Sequence, residues 1–115
     1  MIFVQLTAFA AKWSRLGLTD EDLRALEALL LEQPLSGDLI PGGGGLRKVR
    51  FGPPSWHRGK RGALRVIYAF VDASRSLYLF TAYGKNEQSD LRPEEKAVFR
   101  RVLDQLRKRS NSKEI

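Results

Sequence analysis

The apolar positions of the first third of the chain predict a short strand followed by a helical hairpin. Residues 1–5 form a short β-like run, and residues 7–16 carry apolar side chains at helical spacing until Gly17 ends the segment. Thr19 is a suitable N-cap for a second helix, which opens with three acidic residues and stops before Pro34. The leucine stripe of this second helix is too short for a coiled-coil seam, so we expect it to face a core.

The middle of the chain alternates with the period of β-strands. Residues 41–45 are a Pro-Gly run that we interpret as a flexible connector, because no Gly-Lys-Ser/Thr sequence follows to make a phosphate-binding loop. Residues 46–51, 64–71 and 77–83 then alternate as strands. Short loops between consecutive strands are typical of an antiparallel meander, and we expect the helices to pack on one of its faces.

The last helical pattern begins at Pro93, which suits the first turn of a helix, and buries an apolar stripe up to Leu106. The element order is therefore β-α-α-β-β-β-α. This order predicts an α+β fold: a small antiparallel sheet with an N-terminal helical hairpin and a C-terminal helix. We expect one domain over residues 1–109 and a frayed polar tail over residues 110–115.

Composition excludes several kinds of site. The 115 residues contain no cysteine and one histidine, His57, which excludes a disulfide scaffold, a cysteine nucleophile and a two-histidine acid–base pair. We expect no metal and no cofactor. No apolar run approaches the ~20 residues of a membrane span, and the first residues lack the charged leader of a secretory signal. The chain is predicted to be cytoplasmic and not to bind a membrane.

Positive charge is concentrated in the middle of the chain. The formal net charge is +7. No acidic residue lies between Asp38 and Asp72, whereas this interval holds seven cations, which are Arg47, Lys48, Arg50, Arg58, Lys60, Arg61 and Arg65. A solvated surface usually mixes both signs of charge. A block of one sign indicates a polyanionic partner such as nucleic acid.

A subset of these cations is suited to phosphate chemistry. Lys48 and Arg50 project from the same face of their strand. Arg65 lies beside them if strand pairing places its side chain on that same face of the sheet. Lys85 lies where the last strand ends. Such a cluster binds phosphate and stabilises negative charge in a transition state. Like charges also favour a neutral lysine, which can then act as a general base.

Several segments together resemble the RelE superfamily of bacterial toxins, and in particular its HigB-like branch. The matching strings, in chain order, are Gly37-Asp38-Leu39-Ile40-Pro41-Gly42, Gly44-Gly45-Leu46-Arg47-Lys48-Val49-Arg50, Lys60-Arg61-Gly62, Arg65-Val66-Ile67-Tyr68, Tyr83-Gly84-Lys85-Asn86-Glu87 and Asp90-Leu91. The resemblance covers the chain from Phe3 to about Leu106. It implies the toxin of a type II toxin–antitoxin pair.

The resemblance also implies an activity and a set of site residues. Such toxins are ribosome-dependent mRNA endonucleases that cleave the message in the A site, where the RNA 2′-hydroxyl attacks the adjacent phosphate without a metal. Carried over by motif, the catalytic residues are Lys48, Arg50, Arg65 and Lys85. The residues expected to bind RNA or the ribosome are Arg47, Trp56, Arg58, Lys60, Arg61, Tyr83 and Asn86. Arg65 is expected to clamp phosphate with its planar guanidinium, and Lys48 to serve as base or charge stabiliser.

The same resemblance implies partners and leaves alternatives open. We expect a cognate helix-turn-helix antitoxin, and operator DNA bound only through the complex with it. Members of the ParE type inhibit DNA gyrase without nuclease activity, and a non-toxic RNA-binding module is a third reading. This chain has Gly62-Ala63 where relatives often have two glycines, Asn86 near the position of an arginine, and no tyrosine beyond Tyr83. The sequence therefore does not assign the residues that act as general acid and general base.

Overall fold

A computed structural model describes residues 1–56 and 62–112 of the chain. The elements are β1 (Ile2–Gln5), α1 (Thr7–Arg15), α2 (Asp20–Glu32), β2 (Asp38–Leu39), β3 (Arg47–Phe51), β4 (Leu64–Val71), β5 (Ser76–Gly84) and α3 (Pro93–Ser112). The helices and the three long strands lie where the apolar patterns place them. Among the described residues, no helix has both the length and the apolar character needed to span a membrane.

The strands form one five-stranded sheet in the order β1-β5-β4-β3-β2. The β3-β4-β5 meander is antiparallel, as predicted, and the α+β fold class is confirmed. The sequence did not indicate two features of this sheet. β1 pairs in parallel with β5, which makes the sheet mixed, and the two-residue strand β2 pairs with β3 at the opposite edge.

The helices cover both faces of the sheet, so the prediction that they pack on one face is wrong. One buried cluster joins α1 and α2 to Leu64 and Val66 of β4. The other joins α3 to Ile67 and Ala69 of the same strand. Because β4 is apolar on both of its faces, each face needs a cover to exclude water. The helical hairpin supplies one cover and the C-terminal helix supplies the other.

A buried carboxylate fastens the helical hairpin to the loop after β3. Asp22 closes a capping box with Thr19 at the start of α2 and also accepts hydrogen bonds from the backbone N–H and the hydroxyl of Ser55. Burial by itself raises the pKa of Asp22, but the hydrogen bonds from Ser55 and Thr19 outweigh it and lower the pKa below 3.8. This carboxylate fixes the residues that lead to Trp56.

The glycine run is a packed loop, which corrects its interpretation as a flexible connector. Lys96 and Arg100 of α3 donate hydrogen bonds to the carbonyls of Pro41 and Gly42, and Arg107 donates to that of Gly44. Gly45 has a φ of +119°, and a Cβ placed there would lie 2.1 Å from the Arg107 guanidinium. Glycine is therefore required by backbone conformation and by the room that the arginine occupies.

The C-terminal helix continues to Ser112, past the start of the tail that was expected to fray at residue 110. Ser110 is buried, which shows that this last part of α3 lies against the rest of the protein. Residues 110–112 are thus helical, and residues 113–115 lie outside the described part of the chain.

Candidate functional site

Three of the predicted cations line one open cavity on the α3 side of the sheet. Arg50 of β3 lies directly opposite Arg65 of β4, and Lys48 is two residues before Arg50 on the same face. The cavity has a volume of about 470 Å³. Its lining also includes Ser36, Asp38 and Ser89. We call this cavity, with Lys48, Arg50 and Arg65 in its wall, the cationic cleft.

Lys48 has a carboxylate partner that the local sequence does not supply. Its Nζ lies 3.2 Å from Oδ1 of Asp90, which is 42 positions away in the loop before α3. The pKa of Asp90 is lowered, first by the hydrogen bond from the backbone N–H of Leu91, next by Lys48, and then by the charge of Lys96. The Asp90 side chain is two-thirds exposed, so this pair is open to solvent and to an incoming ligand.

The two arginines have more hydrogen-bonding capacity than the protein uses. Arg65 donates one bond, of 2.8 Å, to the carbonyl of Ala63, which orients its guanidinium and leaves other N–H groups available. Within residues 1–56 and 62–112, no hydrogen bond or ion pair engages the Arg50 side chain. Like charges directly opposite each other destabilise a sheet, so this pair does not stabilise the fold.

Tyr83 lies opposite Arg65 on the next strand, with its side chain buried. It is 1% exposed and belongs to the core beneath α3, because β5 is an interior strand of the sheet. The Tyr83 side chain is therefore closed to solvent in this structure, and its expected contact with RNA or the ribosome stays a prediction. Burial, together with the negative charge of Asp90, raises the pKa of Tyr83 to about 12, which keeps its hydroxyl neutral.

Lys85 and Asn86 line a different cavity. This second cavity has a volume of about 150 Å³, and its other lining residues include Trp56, Leu16 and Glu87. The chain turns after Gly84 at the end of β5, and this turn carries Lys85 to a site that the cationic cleft does not include. Three predicted residues, Lys85, Asn86 and Trp56, are thus brought together with one another but not with the other cations.

Arg47, another predicted residue, does not line the cleft. Arg47 projects from the opposite face of β3 and donates hydrogen bonds to the carbonyls of Leu35 and Gly37, so it fastens the segment that leads into β2. Arg58, Lys60 and Arg61 lie outside the described residues.

Two acidic residues at the cleft were missed by sequence reasoning. Asp38 lies opposite Lys48 in the β2–β3 register, and Asp90 pairs with the Lys48 ammonium. Both occur in strings that carry the family resemblance, but neither belongs to the cationic block. The cleft therefore combines three cations with carboxylates at its rim. This arrangement can hold a phosphodiester and also offers groups that accept protons.

Comparison with known proteins agrees with this architecture. The family model described as "RelE toxin of RelE / RelB toxin-antitoxin system" matches residues 3–114. A solved structure of an arginine-to-alanine double mutant of the E. coli toxin RelE in the free state is similar in fold, with a TM-score of 0.52. The two chains are 13% identical, and the match covers 76% of this chain and 86% of that one. The chain belongs to the RelE toxin family of toxin–antitoxin systems.

Proposed function

We propose that this protein is a HigB-like toxin that cleaves mRNA on the ribosome. The observation that carries the proposal is the facing pair Arg50 and Arg65, set beside Lys48 in an open cavity. Two unneutralised guanidinium groups on adjacent strands are unfavourable for the fold and favourable for a bound phosphate. Membership of the RelE family supports ribosome-dependent RNA cleavage as the activity that uses them.

The proposed reaction is a transesterification within the RNA. The 2′-hydroxyl oxygen attacks the adjacent phosphorus and the bond from phosphorus to the 5′-oxygen breaks, which leaves a 2′,3′-cyclic phosphate and a 5′-hydroxyl. A base takes the proton of the 2′-hydroxyl, and the departing 5′-oxygen receives a proton. The reaction passes through a phosphorane with added negative charge, so preorganised cations lower its barrier.

The geometry suggests a role for each cation. Arg65, already oriented by the Ala63 carbonyl, holds two phosphate oxygens in its planar fork, and Arg50 adds a second guanidinium from the facing strand. Lys48 is held in an ion pair with Asp90, which suits it to stabilise charge rather than to accept a proton. Asp38, which lines the cleft beside Lys48, is the candidate proton acceptor.

The second cavity is proposed to receive a nucleobase of the same message. Trp56 offers an aromatic surface, and Lys85 and Asn86 offer donors and an acceptor at its edge. Unpaired bases commonly stack on aromatic side chains, and amide groups read their edges. A cytoplasmic location, a helix-turn-helix antitoxin and operator binding through the antitoxin complex complete the proposal, with family membership as their support.

The test compares Arg65→Ala with the wild-type protein in growing cells. Wild-type expression should arrest growth and produce new in-frame 5′ ends in cellular mRNA, detected by primer extension. Arg65→Ala should restore growth and remove these ends while the purified variant remains folded. Intact message accompanied by DNA damage would contradict the proposal in favour of a gyrase inhibitor, and a folded, fully toxic Arg65→Ala would contradict the assigned site.

A further inference from the structure

Helix α3 and Gly42 of the glycine run line a third cavity, which is also cationic. Its volume is about 350 Å³, and its charged lining residues are Lys96, Arg100, Arg101 and Asp104. Three cations therefore face one carboxylate. We call this cavity the α3 cradle.

The cations of the α3 cradle are positioned by the fold. Lys96 donates a hydrogen bond of 3.1 Å to the carbonyl of Pro41, and Arg100 donates one of 3.2 Å to that of Gly42. These bonds fix the two side chains but leave their charges uncompensated, because carbonyl oxygens carry no net charge. Over residues 1–56 and 62–112, the ion pairs involve other residues, and Arg101 makes no hydrogen bond.

The α3 cradle adjoins the cationic cleft. Ser89 lines the cleft and Pro93, four residues later, lines the α3 cradle, and Asp90 in the same segment pairs with Lys48. Arg100 and Arg101 follow Lys96 one turn further along α3. Positive charge therefore continues from the cleft along the helix, and one extended polyanion can occupy both sites.

We propose that the α3 cradle binds the phosphate backbone of RNA beyond the scissile bond. The choice of RNA as the polyanion rests on the proposed function, whereas an anionic ligand follows from the charges alone. Lys96 and Arg100, which their hydrogen bonds hold in place, lose less side-chain entropy on binding phosphate than flexible side chains would, and Arg101 adds a third positive charge beside them. The α3 cradle contributes to affinity and not to the chemical step.

Arg101 provides the test, because the fold does not use its side chain. Binding of a short fluorescent 2′-O-methyl RNA, which cannot be cleaved, is measured by anisotropy over a range of salt concentrations. Arg101→Gln should bind severalfold more weakly, with a log–log salt slope reduced by about 0.7, the value for one phosphate contact on a single strand. Arg101→Lys should restore most of the affinity. Arg24→Gln, which removes an exposed cation of α2, is the matched control and should change neither quantity.

The outcomes separate this inference from the proposed function. An Arg101→Gln variant with wild-type RNA affinity and salt slope would overturn the α3 cradle as an RNA site. So would a variant that loses binding to a polyglutamate peptide but keeps binding to RNA, which would assign the cavity to an acidic protein. On programmed ribosomes, Arg101→Gln should raise the concentration needed for half-maximal cleavage and leave the saturating rate unchanged. Failure of the wild type to cleave would refute the proposed function alone.

Discussion

The facing arginines predict that one substitution stabilises the protein while it impairs the activity. Arg50 lies directly opposite Arg65, and no described residue engages its side chain. Replacing Arg50 by Gln removes a like-charge pair and no hydrogen bond. Cross-strand pairs of this kind contribute roughly 0.2–1 kcal/mol, so Arg50→Gln should raise the free energy of unfolding by about that amount. In a chain of this size that corresponds to a rise in Tm of about 1–4 °C.

The assay is urea and thermal unfolding at low and at high salt, together with RNA cleavage. The gain in stability should shrink as salt increases, because the Debye length falls from about 10 Å at 0.1 M to about 3 Å at 1 M. Cleavage should fall by about 100- to 1,000-fold, the range for losing one preorganised donor to a developing negative charge. Arg24→Gln serves as the control, since it removes a cation from the acidic helix α2 and should not stabilise the protein.

Three results would contradict these expectations for Arg50. A loss of stability in Arg50→Gln would mean that the arginine contributes to the fold and that the pair is not strained. An increase in stability that persists unchanged at high salt would mean that the gain does not come from charge repulsion. Unchanged cleavage in a stabilised variant would remove Arg50 from the site.

Three further predictions concern the framework that carries the site. Asp22→Asn should lower stability by about 1–3 kcal/mol at pH 7, since buried donors lose their ionised acceptor. The lowered pKa of Asp22 stabilises the protein above pH 3.8 and is lost as the pH falls through the folded value, so urea unfolding at pH 3 should show a smaller difference. Gly45→Ala should destabilise the protein by at least about 1 kcal/mol in thermal melts, because the backbone has a positive φ there and Arg107 occupies the space of the added methyl group. Gly52→Ala is the control and should be near neutral, because the space around Gly52 is open. Tyr68→Phe should lower the free energy of unfolding by about 1–3 kcal/mol, because the hydroxyl accepts a hydrogen bond from a backbone N–H and donates one to a backbone carbonyl in the segment that leads to β2. A loss below about 0.5 kcal/mol in chemical denaturation would contradict that assignment.

The elements that the sequence predicts well are those set by local patterns. Thr19 with the acidic residues after it marks the start of α2, because capping depends on neighbours within one turn. The alternation of β3 places Lys48 and Arg50 on one face, and antiparallel pairing then brings Arg65 to them. Because side chains of a strand alternate between two faces of the sheet, the shared face of these three cations could be predicted from the sequence.

The features that the sequence did not predict depend on how distant segments meet. The ion pair between Lys48 and Asp90 joins positions 42 residues apart, and local charge patterns carry no information about it. The direction of Lys85 is set by the turn after β5, which carries it away from the cleft. The glycine run was interpreted as flexible because glycine frees the backbone, but three cations of α3 hold its carbonyls in place.

If Lys48, Arg50 and Arg65 form one site that binds and cleaves RNA, a single-turnover measurement with Arg65→Ala will show the loss of the chemical step. Purified wild-type and variant proteins, each checked for a folded circular dichroism spectrum and cooperative unfolding, are mixed at saturating concentration with ribosomes carrying a defined message. We expect the wild type to release a fragment ending in a 2′,3′-cyclic phosphate and the variant to do so at least about 100-fold more slowly. A folded Arg65→Ala protein that cleaves at the wild-type rate would contradict this expectation.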